Sequence, residues 1–506
     1  MPIGHAWSVA LLGLDGRVIE VEADLGGGLP GMKLVGLPDA GLREAKDRVR
    51  SAVRNSAEPW PGEKLTLGLS PADLPKLGSG YDLAIAVAVL AAASTVPSTR
   101  LPGTVMLGEL SLDGRVREIR GVLPGLLAAR KAGMKRAVVP VHSLFEAALV
   151  EGVEIFGAGR LSEVVAWLRG EDVLTRPDKP DVSTHNETPD LADVIGQPEA
   201  RWALEVAAAG GHHVLLTGPP GVGKTMLAKR LPGLLPSLSL EEALEVTAVH
   251  SLHGSLSRTA PLITLPPFVA PHHTVSVAAL VGGGSGLAMP GLISQAHRGV
   301  LFLDEACEFD APRLDSLRTA LEEGEIRIAR AKAAVCYPAR FQLVLATNTC
   351  PCAPAREIDC TCTPMAKRRY LSKLSGPLMD RVDLRVQMRP ITAMSTHSAA
   401  YESPEPTASV RDRVLAARDR ATARWSAHGW RTNAEVPGPA LRREFALPRD
   451  TTAILDRGLD RGTLTARGAD RCLRIAWTLA DLAKTPRPEP DHVAAALQFR
   501  ARSAAA

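Results

Sequence analysis

Apolar positions fall into three successive patterns along the chain. Over residues 1–170, Ile19–Ala23 and Leu65–Leu69 alternate with the period of two expected of half-buried strands. Leu83–Ala93 is an unbroken apolar run and predicts a helix buried on every side. Residues 174–190, LTRPDKPDVSTHNETPD, are rich in proline and polar groups, the composition of a linker. From Leu191 the pattern changes. Val214–Thr217, Val300–Leu303 and Leu343–Ala346 are short and continuously apolar, as in the centre of a parallel sheet covered on both faces. Met226–Leu231 should continue as a helix. Residues 387–409, rich in Pro, Ser and Thr, predict a hinge. Beyond it Val410, Val414, Ala417 and Ala421, then Leu473, Ala476, Trp477 and Ala480, recur at helical spacing.

The expected organisation is therefore an α+β unit over 1–170, a linker over 171–190 and an α/β core over 191–386. A hinge over 387–409 and a helical domain over 410–506 complete it. A chain of 506 residues exceeds what one core usually serves, which agrees with several domains. The apolar share of 45% is ordinary for a soluble protein. A formal charge of +4 permits a nucleic-acid partner without requiring one, because local stripes matter more than the sum. The beginning, MPIGHAWSVALLGLDG, lacks the basic region of a signal peptide, and Leu83–Ala93 is too short to span a bilayer. Seven cysteines in so long a chain do not describe a disulfide scaffold. A cytoplasmic, reducing location with no membrane association is the expectation.

Residues 218–225 read Gly218-Pro219-Pro220-Gly221-Val222-Gly223-Lys224-Thr225, a complete phosphate-binding loop, G-x-x-x-x-G-K-[ST]. Its glycines let successive backbone N–H groups turn towards phosphates, and the helix that follows offers its positive end. Lys224 can reach the β- and γ-phosphates of ATP, and Thr225 can place its hydroxyl on Mg²⁺. Residues 299–305, GVLFLDE, form an apolar strand ending on two carboxylates. Asp304 is placed to hold Mg²⁺, and Glu305 to polarise an attacking water. A chance Gly/Pro-rich turn would lack the strand before it, the helix after it and the downstream acidic pair. Asn348 ends a further apolar strand, where its amide could bond the γ-phosphate or the lytic water. Arg381 follows a helix end, where it could reach a neighbouring subunit's γ-phosphate or form a surface salt bridge.

Cys350, Cys352, Cys360 and Cys362 cluster just after Asn348. Four thiolates this close can make a tetrahedral Zn²⁺ site, although C-x-C spacing is less typical than C-x-x-C. Four free thiols on a loop are the alternative. Cys307, Cys336 and Cys472 are isolated and read as packing residues. His272 and His273 have no third ligand nearby in sequence, so backbone or phosphate hydrogen bonding is their expected role.

The strings DVIGQ (193–197), FVAPHHTVSVAALVGGG (268–284), GVLFLDE, ATNTCPC, LSGPLMDRVDL and LTARGADRCLRIAWTLADL follow one another in a familiar order. In that order the chain resembles the magnesium-chelatase-like AAA+ ATPases, in the branch of the competence-associated ComM and YifB proteins. The resemblance implies an AAA+ core with a parallel sheet, a helical lid and a ring of subunits, by expectation a hexamer. It also implies an ATPase that drives branch migration of recombining DNA as a helicase during natural transformation. Carried over, Gly218 to Thr225 is Walker A, and Asp304 and Glu305 are Walker B. Asn348 is sensor 1, Arg381 the arginine finger and Arg467 sensor 2, with Arg474 as the alternate. Ile195 and Gln197 flank the adenine, and Met226 follows the loop. Arg327, Arg330 and Lys332 lie in a hairpin that either faces a central pore or is simply solvated. Ala306-Cys307 departs from the Leu-Pro of relatives, a difference expected to alter only local packing.

Residues 1–165 resemble the proteolytic domain of Lon-type proteases. The slot of the nucleophilic serine falls on Gly80 and that of the catalytic lysine on Leu123, so a protease fold without its dyad is expected. Ser79 with Lys131 is the displaced alternative. Three functions thus compete: an ATP-driven DNA motor, a magnesium-chelatase-type ATPase subunit, and a Lon-like protease or unfoldase. The resemblance favours the first.

Overall fold

The computed structural model describes residues 3–35, 40–76, 78–178, 188–284, 288–329, 334–354, 357–390 and 405–501. Arg330, Lys332, residues 179–187 of the expected linker and residues 391–404 of the expected hinge lie outside the described residues.

The continuously apolar runs pair as one five-stranded sheet, and every pairing in it is parallel. From one edge it runs Phe268–Val269, Val300–Leu303, Gln342–Thr347, Val214–Thr217 and Leu384–Gln387. Burial on both faces explains the absence of alternation in these strands. On one face Val214, Leu216, Phe302, Val344 and Ala346 join a cluster with the helix Pro198–Gly210. The C-terminal helices Thr407–Trp425 and Ala466–Leu482 enter the same cluster through Val414, Ala417, Ala421, Ile475 and Ala476. On the other face Leu215, Leu301, Leu303, Leu343 and Leu345 pack with Leu314, Leu317 and Tyr337. Asp383 ties the sheet to the last helices, accepting from Arg471 Nη1 at 2.5 Å and from the backbone of His213 at 3.3 Å.

The expected helix over Met226–Leu231 is split into Lys224–Ala228 and Leu231–Leu234. Pro232 accounts for the break, because it has no N–H for the ladder and its ring would meet the carbonyl one turn back.

The first part of the chain builds a mixed seven-stranded sheet. Its order is Gly31–Val35, Lys64–Ser70, Asp15–Gly26, Gly4–Leu12, Thr104–Met106, Arg136–Pro140 and Glu154–Ala158. The all-apolar run forms the helix Asp82–Ala92, and every residue in it is buried. Leu174 is buried as well, and Thr175 O accepts from Gly157 N at 2.7 Å, so the start of the Pro-rich stretch docks onto this sheet.

The helix Val122–Lys131 packs on Leu240–His253 of the core. Where they meet, Gly121 has φ +78°, and a Cβ there would lie 2.7 Å from both Leu11 Cδ1 and Leu252 Cδ2. Glu146 crosses the same boundary. It accepts from Ser251 Oγ at 2.6 Å and from Leu123 N at 3.4 Å. Burial pushes its carboxyl up to about 7, against those two hydrogen bonds.

Candidate nucleotide site

Parallel strands deliver their C-terminal ends to one edge, which is where open α/β sheets bind ligands. Thr217 is in register with Thr347, and Leu303 with Leu345. The loop after Thr217, the carboxylates after Leu303 and the amide after Thr347 therefore emerge side by side. Gly221 and Gly223 take φ of +80° and +91°, the left-handed conformations that let the loop curl. A cavity of about 380 Å³ opens there. Pro220, Gly221, Gly223, Lys224, Thr225, Met226, Asp304, Glu305, Thr347 and Asn348 line it.

Lys224 is buried, and its Nζ donates to Gly218 O at 2.8 Å, Pro219 O at 2.9 Å and Asn348 Oδ1 at 3.1 Å. All its protons are engaged, so the ammonium occupies the centre of the loop. Burial lowers its pKa, opposed by the charges of Asp304 and Glu305. Thr225 Oγ1 donates to Asp304 Oδ2 at 2.6 Å. A hydroxyl and a carboxylate converging this closely are a donor set that suits Mg²⁺, which takes oxygen ligands and shares them with phosphates.

Asp304 Oδ1 also accepts from the backbone N of Glu305 at 2.9 Å. Glu305 has φ +50°, a left-handed backbone that costs a non-glycine residue on the order of 1–3 kcal/mol and clusters at functional sites. Its Oε2 lies 3.6 Å from His273 Nδ1. The His272 and His273 rings are 4.2 Å apart, so the two do not diverge as residues on a regular element would. The sequence reading missed His273 as a neighbour of the acidic pair. The available signal was its place just after Phe268–Val269, the strand beside Val300–Leu303. Thr347, fully buried at the strand end, was missed too.

Gln197 Nε2 donates to Arg389 O at 2.6 Å and Val222 O at 3.4 Å, which fastens the segment before Pro198 to the loop. Ile195 and Met226 are exposed apolar side chains, at 41% and 36%; Met226 lines the cavity and Ile195 does not. Ala306 and Cys307 are fully buried beside the site and serve packing.

The two expected arginines stand elsewhere. Arg381 binds Glu322 and donates to Pro377 O at 2.6 Å. It lines a separate cavity of about 690 Å³ with Arg418, Arg471, Arg474 and Asp383. Burial and the neighbouring Arg318, Arg471 and Arg467 lower its pKa. Arg467 is 79% exposed, 3.8 Å from Asp380. Arg474 Nε donates to Val436 O at 2.7 Å. None of the three lines the cavity around Lys224.

The four clustered cysteines converge. Cys350 and Cys352 Sγ are 3.4 Å apart, Cys352 and Cys360 3.6 Å, and Cys360 and Cys350 3.5 Å. With Cys362 all four sulfurs lie within 4.8 Å of one another. Sulfurs about 2.3 Å from a tetrahedral zinc would be about 3.8 Å apart, so the donor set fits that ion. In the first part of the chain, Ser79 Oγ donates to Glu109, and Leu123, in the helix Val122–Lys131, is buried in the core. Lys131 lines a different cavity, with Asp15 and Cys336. Arg327 pairs with Glu325 on its hairpin. No helix among the described residues is long and apolar enough to cross a membrane.

Fold and loop together define an α/β protein with a phosphate-binding loop at the carboxyl edge of a parallel sheet. Family models match three stretches of the chain. "Magnesium chelatase, subunit ChlI" covers residues 190–396, "Subunit ChlI of Mg-chelatase" 21–143 and "Magnesium chelatase, subunit ChlI C-terminal" 404–500. An uncharacterized protein of Mycobacterium tuberculosis is 59% identical over 99% of both chains. YifB of Escherichia coli is 41% identical over 97% of this chain and 96% of its own. The competence protein ComM of Haemophilus influenzae is 38% identical over 99% of this chain and 98% of its own. The chain belongs to the magnesium-chelatase-like ComM/YifB family of AAA+ proteins.

Proposed function

We propose that the protein is an ATP-hydrolysing motor that assembles as a ring, by expectation a hexamer, and drives branch migration of DNA. Likeness to a competence protein supports a role in recombining incoming DNA. A cytoplasmic location belongs to this reading. One observation carries it: Lys224, Thr225, Asp304, Glu305 and Asn348 share a cavity that no arginine among the described residues lines. Triphosphate cleavage gains orders of magnitude from an arginine at the γ-phosphate. Arg381, in its separate cavity, is the residue we assign to the site of an adjoining copy, with Arg467 beside it. In this scheme Lys224 and the loop N–H groups bind phosphates, Glu305 takes a proton from the attacking water, and Asn348 orients the γ-phosphate. Thr225 and Asp304 would hold Mg²⁺, which neutralises charge on the β- and γ-oxygens.

We assign Zn²⁺ to Cys350, Cys352, Cys360 and Cys362, where it would clamp the loop structurally. The domain division given above and a Lon-like first unit without protease activity complete the reading. The Ser79 contact to a carboxylate, rather than to an amine, supports that loss.

ATP hydrolysis measured with and without four-way DNA, alongside particle mass by light scattering, tests the proposal. DNA-stimulated hydrolysis by a multimer is expected. A Lys224→Ala protein that still unwinds junctions would overturn it. The family models favour one second reading, a chelatase-type subunit. Magnesium insertion into a porphyrin with partner subunits, and no response to DNA, would establish that instead.

A further inference from the structure

Among the described residues, two places bring three or more metal-binding side chains within 4.8 Å of one another. One is the cysteine cluster. The other is His5, Glu20 and Glu22, in the first sheet.

Strand register builds this second group. Gly4–Leu12 and Asp15–Gly26 run antiparallel, with His5 opposite Glu22 and Trp7 opposite Glu20. Opposite residues point to one face, and so do residues two apart along a strand, so the imidazole and both carboxylates leave the same side. On the reverse side Ala6, Ile19, Val21 and Ala23 are buried against the helix Asp82–Ala92. The three donors therefore face outward, with His5 40% and Glu20 35% exposed. Gly68, on the next strand, is paired with Glu22, and a Cβ there would stand 3.3 Å from Glu22 Oε2. Its missing side chain leaves the carboxylate room beside the backbone.

Charge sets this group apart from the other histidine pairs. His212, His273, His297 and His428 each meet one carboxylate. His5 Nδ1 lies 2.9 Å from Glu20 Oε1 and has a second carboxylate, Glu22, within reach. Among the described residues Glu22 has no hydrogen bond or ion pair through its side chain. Two carboxylates this close repel, and one imidazole, even protonated, neutralises half of their charge. A divalent cation matches both. Mg²⁺ and Ca²⁺ prefer oxygen throughout, whereas imidazole combined with carboxylates is a donor set of Zn²⁺. Donors about 2.1 Å from a tetrahedral zinc stand about 3.4 Å apart, and half-exposed side chains can adjust to that spacing.

We propose that His5, Glu20 and Glu22 bind a divalent transition-metal ion of the zinc class, with a fourth position open to solvent. The ion bridges the first two strands beside Trp7, whose ring lies 6.5 Å from that of His5. The site is separate from the phosphate cavity and does not rest on the motor reading. Three half-exposed ligands hold an ion more weakly than four thiolates. The site therefore fills on titration and empties on dialysis, leaving the zinc of the purified protein to the cysteines.

The test titrates Co²⁺, a probe for zinc, into the full chain after zinc loading and dialysis. Cobalt on thiolates shows intense sulfur-to-metal charge-transfer absorption, and cobalt on nitrogen and oxygen does not. Wild type should bind about one Co²⁺ per chain without that absorption, and the ion should quench Trp7 fluorescence. Glu22→Gln keeps the His5–Glu20 pair and the side-chain shape, and should weaken binding at least about tenfold. His5→Ala should weaken it as much or more. Trp7→Phe should keep the binding and lose the quenching. ATP hydrolysis should be unchanged in all three.

Equal cobalt affinity in wild type and Glu22→Gln overturns the site and leaves an ordinary His5–Glu20 ion pair. Cobalt that binds wild type only with charge-transfer absorption overturns it as well, since the cysteines then take all the metal. Full quenching in Trp7→Phe would place the ion elsewhere in the molecule.

Discussion

Lys224, at the start of the helix after the phosphate-binding loop, and Asn348, just past the end of the strand Gln342–Thr347, are joined by a hydrogen bond of 3.1 Å between Nζ and Oδ1. The amide thereby holds the ammonium at the centre of the loop. Lys224→Ala should lower ATP hydrolysis by about 10²–10³ or more, the scale of one lost electrostatic contact to the reacting group. Asn348→Ala should lower it less while leaving nucleotide binding largely intact. Phosphate release and binding of a fluorescent ATP analogue separate the two effects. Wild-type turnover in Lys224→Ala would remove the phosphate role.

Glu305 is the acidic residue with a free route to water, because Asp304 is already engaged by Thr225 and by the backbone of Glu305. Glu305→Gln keeps the side-chain shape and removes the base. ATP should still bind with near-normal affinity, and hydrolysis should fall by about 10²–10⁴. Normal single-turnover hydrolysis by this variant would exclude the residue as base.

Arg381 and Lys224 line different cavities, so the two roles are expected to complement between copies. Arg381→Ala alone should cost on the order of 10³ in hydrolysis. Mixing it with Lys224→Ala protein should restore part of the activity, since some interfaces then pair an intact loop with an intact arginine. Mixed samples as inactive as the separate variants would place both residues in one chain's site.

Zinc can be counted directly. Purified protein should carry about one zinc per chain, and Cys360→Ser should carry little or none. Thiolate ligation releases protons, so acid should strip the metal before it unfolds the core. Atomic emission after dialysis at graded pH reads this. Full zinc content in Cys360→Ser would place the ion elsewhere.

Glu146 makes stability depend on pH in a defined direction. Its folded pKa, about 7, stands above the unfolded value near 4.5, so the folded state holds the proton more tightly. Its contribution is fully present below about pH 4.5 and is lost as pH rises through 7. Glu146→Gln keeps an oxygen for Ser251 and Leu123 while removing the charge. At pH 8 it should be more stable than wild type by on the order of 3 kcal/mol, and near pH 5 nearly equal to it. Urea midpoints at the two pH values check the sign. A variant less stable at pH 8 would contradict the burial account.

The residues lining the phosphate cavity were largely legible in the sequence because local order defines the loop. Six consecutive residues, strand end to helix start, set where Lys224 and Thr225 point. The sheet was legible for a similar reason, since strands buried on both faces show as unbroken apolar runs. The C-terminal helices announced themselves through Val414, Ala417 and Ala421, all buried as their spacing required. Pairs that depend on distant chain segments left no such trace. His273 with Glu305, Ser79 with Glu109 and Glu146 with Ser251 each join elements whose packing no local period encodes. The edge strand Gly31–Val35 was missed because none of its positions is as buried as those of a core strand. The break at Lys229–Arg230 could have been read from Pro232, one turn further on.

Gly121 leaves just enough room for Leu252, and Glu146 meets Ser251 one residue away. Swapping the first third of this protein for that of a distant homologue therefore transplants half of a lock without its key. Chimeras should tolerate such an exchange only when the helix Leu240–His253 travels with it, and random libraries should recover the two segments as an inherited pair.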